Sequence, residues 1–417
     1  MKKILSFLLT FSILTMTIGC AQSSLNEGAV GKKNLKVAEE AVSKAEEESK
    51  TEESASKAEE KSEAEESALE AKTVSTFEGT QAQEFVAKIN VGWNLGNSLD
   101  AHGVGNSLNS ETYWGNPKTT HEMIAKIEEE GFNTIRIPIT FAEHMIDSEY
   151  TIDPAWMDRV EEVVKYAYDD GMFVIIDTHH EPNYWLIPQE DKEEEVIKEL
   201  TRIWEQVAER FKDYDERLIF EGMNEPRTVG SPQEWNGGTA SEREVVNRLN
   251  QAFVDTVRNS GGNNQSRYLI VCTYGNMAAS AGIRGLVVPN DSHIIVSVHM
   301  YTPYLFCYKP AGNYSVWDGS KIGDIQSQVK ELKENFYDKG IPVIITEFGA
   351  MYKNNEDDVV KWIHDFMSTI NEYRFKCIWW DNGDHSMGET FGIFNRRTLE
   401  WYSKKTADAL IENAVCE

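Results

Sequence analysis

The sequence predicts an α/β protein, a (β/α)8 barrel in one domain behind an acidic linker that is disordered or partly helical. Three observations carry that expectation. Eight strand-like apolar runs recur through residues 85–417, segments of helical periodicity lie between most of them, and the runs end in polar or glycine-rich sequence. Eight strands in about 330 residues suit such a barrel.

The runs fall at 90–96, 134–140, 173–180, 218–225, 267–273, 294–301, 342–347 and 376–380. Most are continuous rather than alternating, as in Val174-Ile175-Ile176 and Val343-Ile344-Ile345. Parallel strands buried on both faces read this way. Helical periodicity occupies 119–130, 153–170, 192–211, 242–259, 322–337 and 357–371, with a further helix at 406–413. The link from 274 to 290 is the weak point, with a short helix at most. A doubly wound open sheet is the alternative topology. It usually shows a glycine-rich phosphate turn after the first strand, and Gly92 and Gly96 do not have that spacing.

In a barrel of this kind the reactive residues gather at the C-terminal ends of the strands. Asn94, Arg136, His179, His180, Asn224, Glu225, His299, Tyr301, Glu347, Trp379 and Trp380 all fall at those ends. A set this large at one end is hard to produce as core filling. Asn224-Glu225-Pro226 and Thr346-Glu347-Phe348-Gly349 each place a glutamate just after a strand-like run. Two such carboxyls are what glycoside hydrolysis needs. Asp177 and Glu221 lie further back and read as structural. Trp93, Trp114, Trp185, Trp235 and Trp317 sit in or near strand-to-helix loops, where sugar contact and packing explain them equally well. His102 and Asn97 stay unassigned.

With these pieces in place, the domain resembles a family 5 glycoside hydrolase of the clan with retaining barrels, closest to the bacterial endo-β-1,4-glucanases. The matching segments are Gly92-Trp93-Asn94-Leu95-Gly96-Asn97, Arg136-Ile137-Pro138, Asp177-Thr178-His179-His180-Glu181, Phe220-Glu221-Gly222-Met223-Asn224-Glu225-Pro226, His299-Met300-Tyr301, Thr346-Glu347-Phe348-Gly349 and Trp379-Trp380-Asp381-Asn382-Gly383. The resemblance implies Glu225 as acid/base and Glu347 as nucleophile. It implies Asn224 on the sugar 2-hydroxyl, His179 and His299 positioning hydroxyls and Glu225, and Trp380 as the ring on which a pyranose stacks. His180 is either a sugar contact or a support behind one. The acid must keep its proton near neutral pH while the nucleophile stays ionised. Arg136, permanently charged, can hold Glu347 ionised, and Tyr301 can donate to the same carboxylate. The carboxyls are expected about 5–5.5 Å apart, with net retention of configuration. No cofactor or metal is expected.

The first twenty residues read as a targeting segment. Lys2 and Lys3 precede an apolar run over 4–18, too short to span a bilayer comfortably. Thr17-Ile18-Gly19-Cys20 resembles a bacterial lipobox, giving a signal peptide over 1–19 and a lipid on Cys20; plain secretion is the alternative. Residues 20–80 form a linker rich in Ala, Ser, Glu and Lys, with too little apolar surface for a core. It reads as a semi-rigid spacer or a passive tether. The catalytic domain is then 81–417.

Eight lysines and fifteen glutamates give 21–80 a charge of −7, so most of the chain's −28 lies on the domain. A surface that acidic repels nucleic acid and suits a neutral polymer. The expected partners are a β-glucan and, through the lipid, a membrane; the chain is expected to be a monomer. Cys272, Cys307, Cys377 and Cys416 show no paired spacing, and Cys272 and Cys377 read as small core residues.

Two rivals differ in class. A metal-dependent barrel hydrolase could use His179, His180, Glu181 and His299, but the first strand has no histidine and HExxH is absent. A catalytically silent glucan-binding protein would have lost a carboxylate, and both are present. Within the enzyme reading, cellulose or mixed-linkage glucan leads, xyloglucan follows, and mannan or xylan is third.

Overall fold

The computed structural model describes residues 79–309, 314–386 and 388–415. The leader over 1–19, Cys20, almost all of the linker and Cys416 lie outside the described residues. The chain enters the fold through helix α1 (Gln81–Ala87), opened by a reciprocal capping box between Thr80 and Gln83. Its Phe85 stacks on Tyr268, ring centroids 3.6 Å apart, and packs with Val86 on isoleucines of the sheet.

Eight parallel strands then close a barrel in sequence order, β1 pairing with both β2 and β8. They are β1 (Gly92–Leu95), β2 (Thr134–Ile137), β3 (Phe173–Asp177), β4 (Leu218–Glu221), β5 (Leu269–Met277), β6 (Ile294–Met300), β7 (Val343–Phe348) and β8 (Lys376–Asp381). The outer ring contains α2 (His121–Glu130), α3 (Pro154–Asp169), α4 (Glu193–Phe211), α5 (Ala240–Asn259), α8 (Ile322–Asn335), α9 (Glu356–Asn371) and α10 (Lys404–Glu412). Short helices α6 (Ser280–Gly285) and α7 (Tyr304–Tyr308) follow β5 and β6, and a small hairpin of β9 (Phe394–Asn395) and β10 (Glu400–Trp401) precedes α10. The barrel and its weak fifth link stand as the sequence predicts, α6 being six residues long.

The barrel interior has two layers of opposite chemistry. Ile175, Ile219, Ile270, Ile295, Ile344 and Ile378 form one apolar cluster with α1. Further along the strands stand Asn94, Arg136, Asp177, Glu221, Ser297 and Thr346, all buried. Period-two alternation explains the step: Ile175 and Asp177 share a face of β3, as do Ile219 and Glu221 of β4. The other face supplies Val174, Ile176, Leu218 and Phe220 to the core that includes the helices.

Several strands stop sooner than the apolar runs suggest. β3 ends at Asp177 and β4 at Glu221, so His179, His180, Asn224 and Glu225 lie in the following loops. At Gly222 the carbonyl accepts from Trp204 Nε1 and Thr178 Oγ1, and a Cβ would meet the Phe253 ring at 2.6 Å. β5 runs longer, to Met277, through an irregularity in its register with β6. Cys272, Cys307 and Cys377 are free and buried, as small core residues.

Candidate active site

Arg136 is the centre of the polar layer. From β2 its Nε donates to Glu221 Oε2 at 2.6 Å, and Nη1 to Glu347 Oε1 at 2.9 Å and Asn94 Oδ1 at 3.1 Å. Nη2 donates to Asn224 Oδ1 at 2.8 Å and pairs with Asp177 Oδ2. One guanidinium thus faces three buried carboxyls. Burial opposes its charge, but the carboxylates outweigh that and raise its pKa further. Asp177 is pushed up to about 6 by burial, against the pull of Arg136. Asp177 and Glu221 are more than supports of their strands: they share the cation that reaches Glu347.

Glu347 sits within β7, where the pairing with β8 shifts register between Ile345 and Phe348. The irregularity lets neighbouring side chains serve the same interior. Thr346 Oγ1 lies 2.7 Å from Ser297 Oγ, while Glu347 takes Arg136 on Oε1 and the Tyr301 hydroxyl on Oε2 at 2.9 Å.

Glu225 is held differently. Its φ is 47°, in the left-handed region. Its N–H donates to Asn276 Oδ1 at 2.7 Å. Its Oε1 lies 3.0 Å from His299 Nδ1, and its Oε2 lies 3.1 Å from Arg227 Nη1. One oxygen each from Glu225 and Glu347 and a ring nitrogen of His299 all fall within 4.8 Å of one another. The two carboxyls therefore share one pocket.

Burial drives Glu225 up, but the His299 hydrogen bond and the Arg227 charge pull it down to about 2. Burial pushes Glu347 up, against His299 and Arg136. His299 is raised because Glu347 and Glu225 outweigh its own burial. Arg227, unforeseen in the sequence, is one cause of the downward pull on Glu225. The two carboxyls titrate as a pair; the arrangement that can protonate a leaving group is the one with the proton on Glu225.

The remaining sequence candidates surround this pocket. His179 Nδ1 lies 3.0 Å from Asp177 Oδ2, and burial drives its pKa well down. Trp380 lies parallel to the His179 ring at 5.6 Å and packs with Met351 and Phe391. Trp379 instead sends Nε1 to Phe391 O and packs edge-on against Phe348 in the core, so Trp380 is the one beside His179. His180 Nε2 stands 3.4 Å from Asp100 Oδ2, behind a cluster of His102, Trp114 and Tyr184. Of the five tryptophans expected in or near loops, Trp93 lies instead within β1 and is buried, Trp317 is buried, and Trp114 and Trp235 are exposed. Trp185 is partly buried and donates to Glu181.

Asp100, His179 and His180 could also gather one donor atom each around a cation, again within 4.8 Å. Asp100 already accepts the N–H groups of Asn97 and Ser98. Asn276, Ser297 and Arg227 escaped the sequence reading. They lie in no glutamate or histidine motif, and only the turn of β5 brings Asn276 under Glu225.

A parallel barrel with paired glutamates, an arginine, histidines, a tyrosine and a tryptophan at the C-terminal strand ends defines a retaining-type glycosidase scaffold. Residues 98–386 match the model of cellulase, glycosyl hydrolase family 5. Endoglucanase A of Ruminococcus albus is 51% identical over 340 residues, covering 80% of this chain and 93% of that protein. Among solved structures, a xyloglucan-specific endo-β-1,4-glucanase of family 5 from a metagenomic library, in complex with cellotriose, superposes with TM-score 0.79. It is 52% identical, with 80% of this chain and 99% of that one covered. A broad-specificity endoglucanase from Ruminococcus champanellensis with bound cellotriose gives TM-score 0.77 at 44% identity, covering 79% of this chain and 98% of that one. The chain belongs to glycoside hydrolase family 5.

Proposed function

We propose that this enzyme is an endo-β-1,4-glucanase that cleaves internal bonds of cellulose and mixed-linkage β-glucan with retention. The observation that carries the reading is the closeness of Glu225 and Glu347. One oxygen of each within 4.8 Å suits the carboxyl separation of about 5–5.5 Å used in double displacement better than the roughly 6.5–9.5 Å of inverting enzymes.

In this reading Glu347 attacks the anomeric carbon and the bond to the leaving oxygen breaks. Glu225 gives its proton to that oxygen. Water then attacks the glycosyl-enzyme, Glu225 takes a proton from it, and Glu347 is released as carboxylate. Arg136 and Tyr301, one on each oxygen of Glu347, stabilise the carboxylate that attacks and departs. Asn224, whose Oδ1 accepts from Arg136, bonds the sugar 2-hydroxyl in this reading. His179 and Trp380 form the polar and flat sides of the sugar site.

The test is reducing-sugar release from mixed-linkage β-glucan, with NMR of the first product. Activity abolished in Glu347→Gln, with β-anomer appearing first, supports the reading; α-anomer first overturns it. A second reading, xyloglucan as preferred polymer, is supported by the 52% identical relative described as xyloglucan-specific. Relative kcat/KM on the two glucans separates them.

We also propose that the leader directs export and that Cys20 carries a lipid, on the pattern Thr17-Ile18-Gly19-Cys20. Labelled palmitate incorporated by the wild type and lost in Cys20→Ser tests this.

A further inference from the structure

Glu225 lies beyond the sheet, so something other than its own strand must fix it. His299 and Arg227 face its carboxyl, and the neighbour that reaches its backbone N–H is the end of β5. Between Cys272 and Met277 that strand takes five residue steps while β6 takes two, from Ser297 to His299. The extra chain folds into a bulge in which Gly275 and Asn276 have φ of 61° and 49°. Glycine accepts that region freely and asparagine tolerates it. Thr273 Oγ1 closes the bulge by donating to Met277 O at 2.9 Å.

The bulge meets the 225–228 turn with three hydrogen bonds. Glu225 N–H donates to Asn276 Oδ1 at 2.7 Å, Gly275 N–H to Pro226 O at 2.9 Å, and Thr228 N–H to the Tyr274 hydroxyl at 2.9 Å. Asn276 is fully buried. Its Nδ2 donates to Ser297 Oγ at 2.6 Å and approaches Glu221 Oε1 at 3.4 Å. Ser297 Oγ in turn donates to Glu221 Oε1 at 2.7 Å, and the other oxygen of Glu221 holds Arg136. A continuous buried network therefore runs from the cation beside Glu347 to the backbone of Glu225.

We propose that Asn276 is a positioning residue for the acid/base step, holding the left-handed backbone of Glu225 in register with the Arg136 cluster. A buried amide whose donor and acceptor sides are both used has one orientation, and that orientation sets where the Glu225 N–H points. Asn276 touches no reacting atom and acts through Glu225. The proposal rests on the reading of Glu225 as proton donor, and its signature is a loss confined to reactions that need that proton.

The test substitutes Asn276→Gly, which removes the side chain while accepting the backbone angle. kcat/KM is measured on cellopentaose, whose leaving sugar needs a proton, and on 2,4-dinitrophenyl β-cellobioside, whose leaving group does not. Asn276→Gly should lose about 30-fold or more on cellopentaose and less than about threefold on the aryl glycoside. Ser297→Ala, which loosens Asn276 without touching Glu225, should show the same selectivity at smaller size and carries the test if Asn276→Gly does not fold. Equal losses on both substrates, or none, overturn the proposal. Glu225→Gln runs beside them. If it is not selective, the reading of Glu225 fails; if it is selective and the Asn276 and Ser297 variants are not, only the Asn276 proposal fails.

Discussion

Glu347 and Glu225 share one pocket but are held by different kinds of structure. Glu347 lies inside β7, and the groups on its oxygens come from β2 and from Tyr301 just after β6. Glu225 lies past the end of β4, in a left-handed turn held by Asn276 of β5 and faced by Arg227 of its own loop. A residue within a closed sheet inherits its position from the ladder. A residue beyond it depends on side-chain hydrogen bonds, and so its position and its proton can be altered without disturbing the barrel.

The largest expected effect tests that difference directly. Glu347→Gln should lower activity roughly 10⁴-fold or more on every substrate, because no covalent intermediate forms. Glu225→Gln should lose about 10²–10⁴-fold on glucan. Added azide, a nucleophile that needs no general base, should restore turnover of an activated aryl cellobioside in that variant and yield a glycosyl azide. Azide rescue of Glu347→Gln with the same retained product would break the assignment.

Removing the shared cation comes next. Arg136→Ala leaves Asp177, Glu221 and Glu347 together without their counter-ion, in sites no more than 7% exposed. Deleting one partner of a buried ion pair costs about 3–5 kcal/mol. The denaturation midpoint should fall accordingly, together with activity. Arg227→Ala, in a loop, should leave that midpoint nearly unchanged. Equal destabilisation by the two would show that the turn and the sheet are one structural unit.

The same contrast explains what was legible in the sequence. Strand-buried features were readable: continuous apolar runs marked the barrel, and polar residues at their ends marked the mouth. Arg136 beside Glu347 could be inferred because a fixed charge in a polar layer needs a counter-charge. Its sharing among Asp177 and Glu221 followed from period-two alternation, a step that the reading of those two as structural did not take. The Glu225 environment was legible only in part: His299 was expected beside it and lies 3.0 Å from its Oε1. Asn276 lies in a bulge whose three extra residues no periodicity announces, and Arg227 follows the Asn-Glu-Pro segment as an ordinary loop cation. The share of the downward pull on Glu225 that comes from that cation was therefore not foreseen.

Smaller effects should separate the two carboxyls by pH. Tyr301→Phe removes a donor from Glu347 Oε2. Losing a donor disfavours the charged form, so the pKa of Glu347 rises. The acid limb of kcat/KM reports ionisation of the nucleophile and should move to higher pH, with kcat reduced about tenfold or more. A limb that stays in place would mean that His299 and Arg136 set the charge on Glu347 without Tyr301.

Arg227→Ala acts on the other member. The guanidinium stands 3.1 Å from Glu225 Oε2, also pairs with Glu234 at 3.1 Å, and lies over the ring of exposed Trp235 at 4.6 Å. An opposite charge at such a distance lowers a carboxyl pKa by about one unit or more, so removing it raises the proton affinity of Glu225. The raised affinity favours the arrangement with the shared proton on Glu225, the one able to protonate a leaving group. The basic limb of kcat/KM on cellopentaose should therefore move to higher pH, by about one unit, while the acid limb moves less. His299 still faces Glu225 at 3.0 Å and keeps part of the pull. If instead the acid limb moves and the basic limb stays, Arg227 acts on Glu347, and the separation of a sheet-held nucleophile from a turn-held acid does not describe this site.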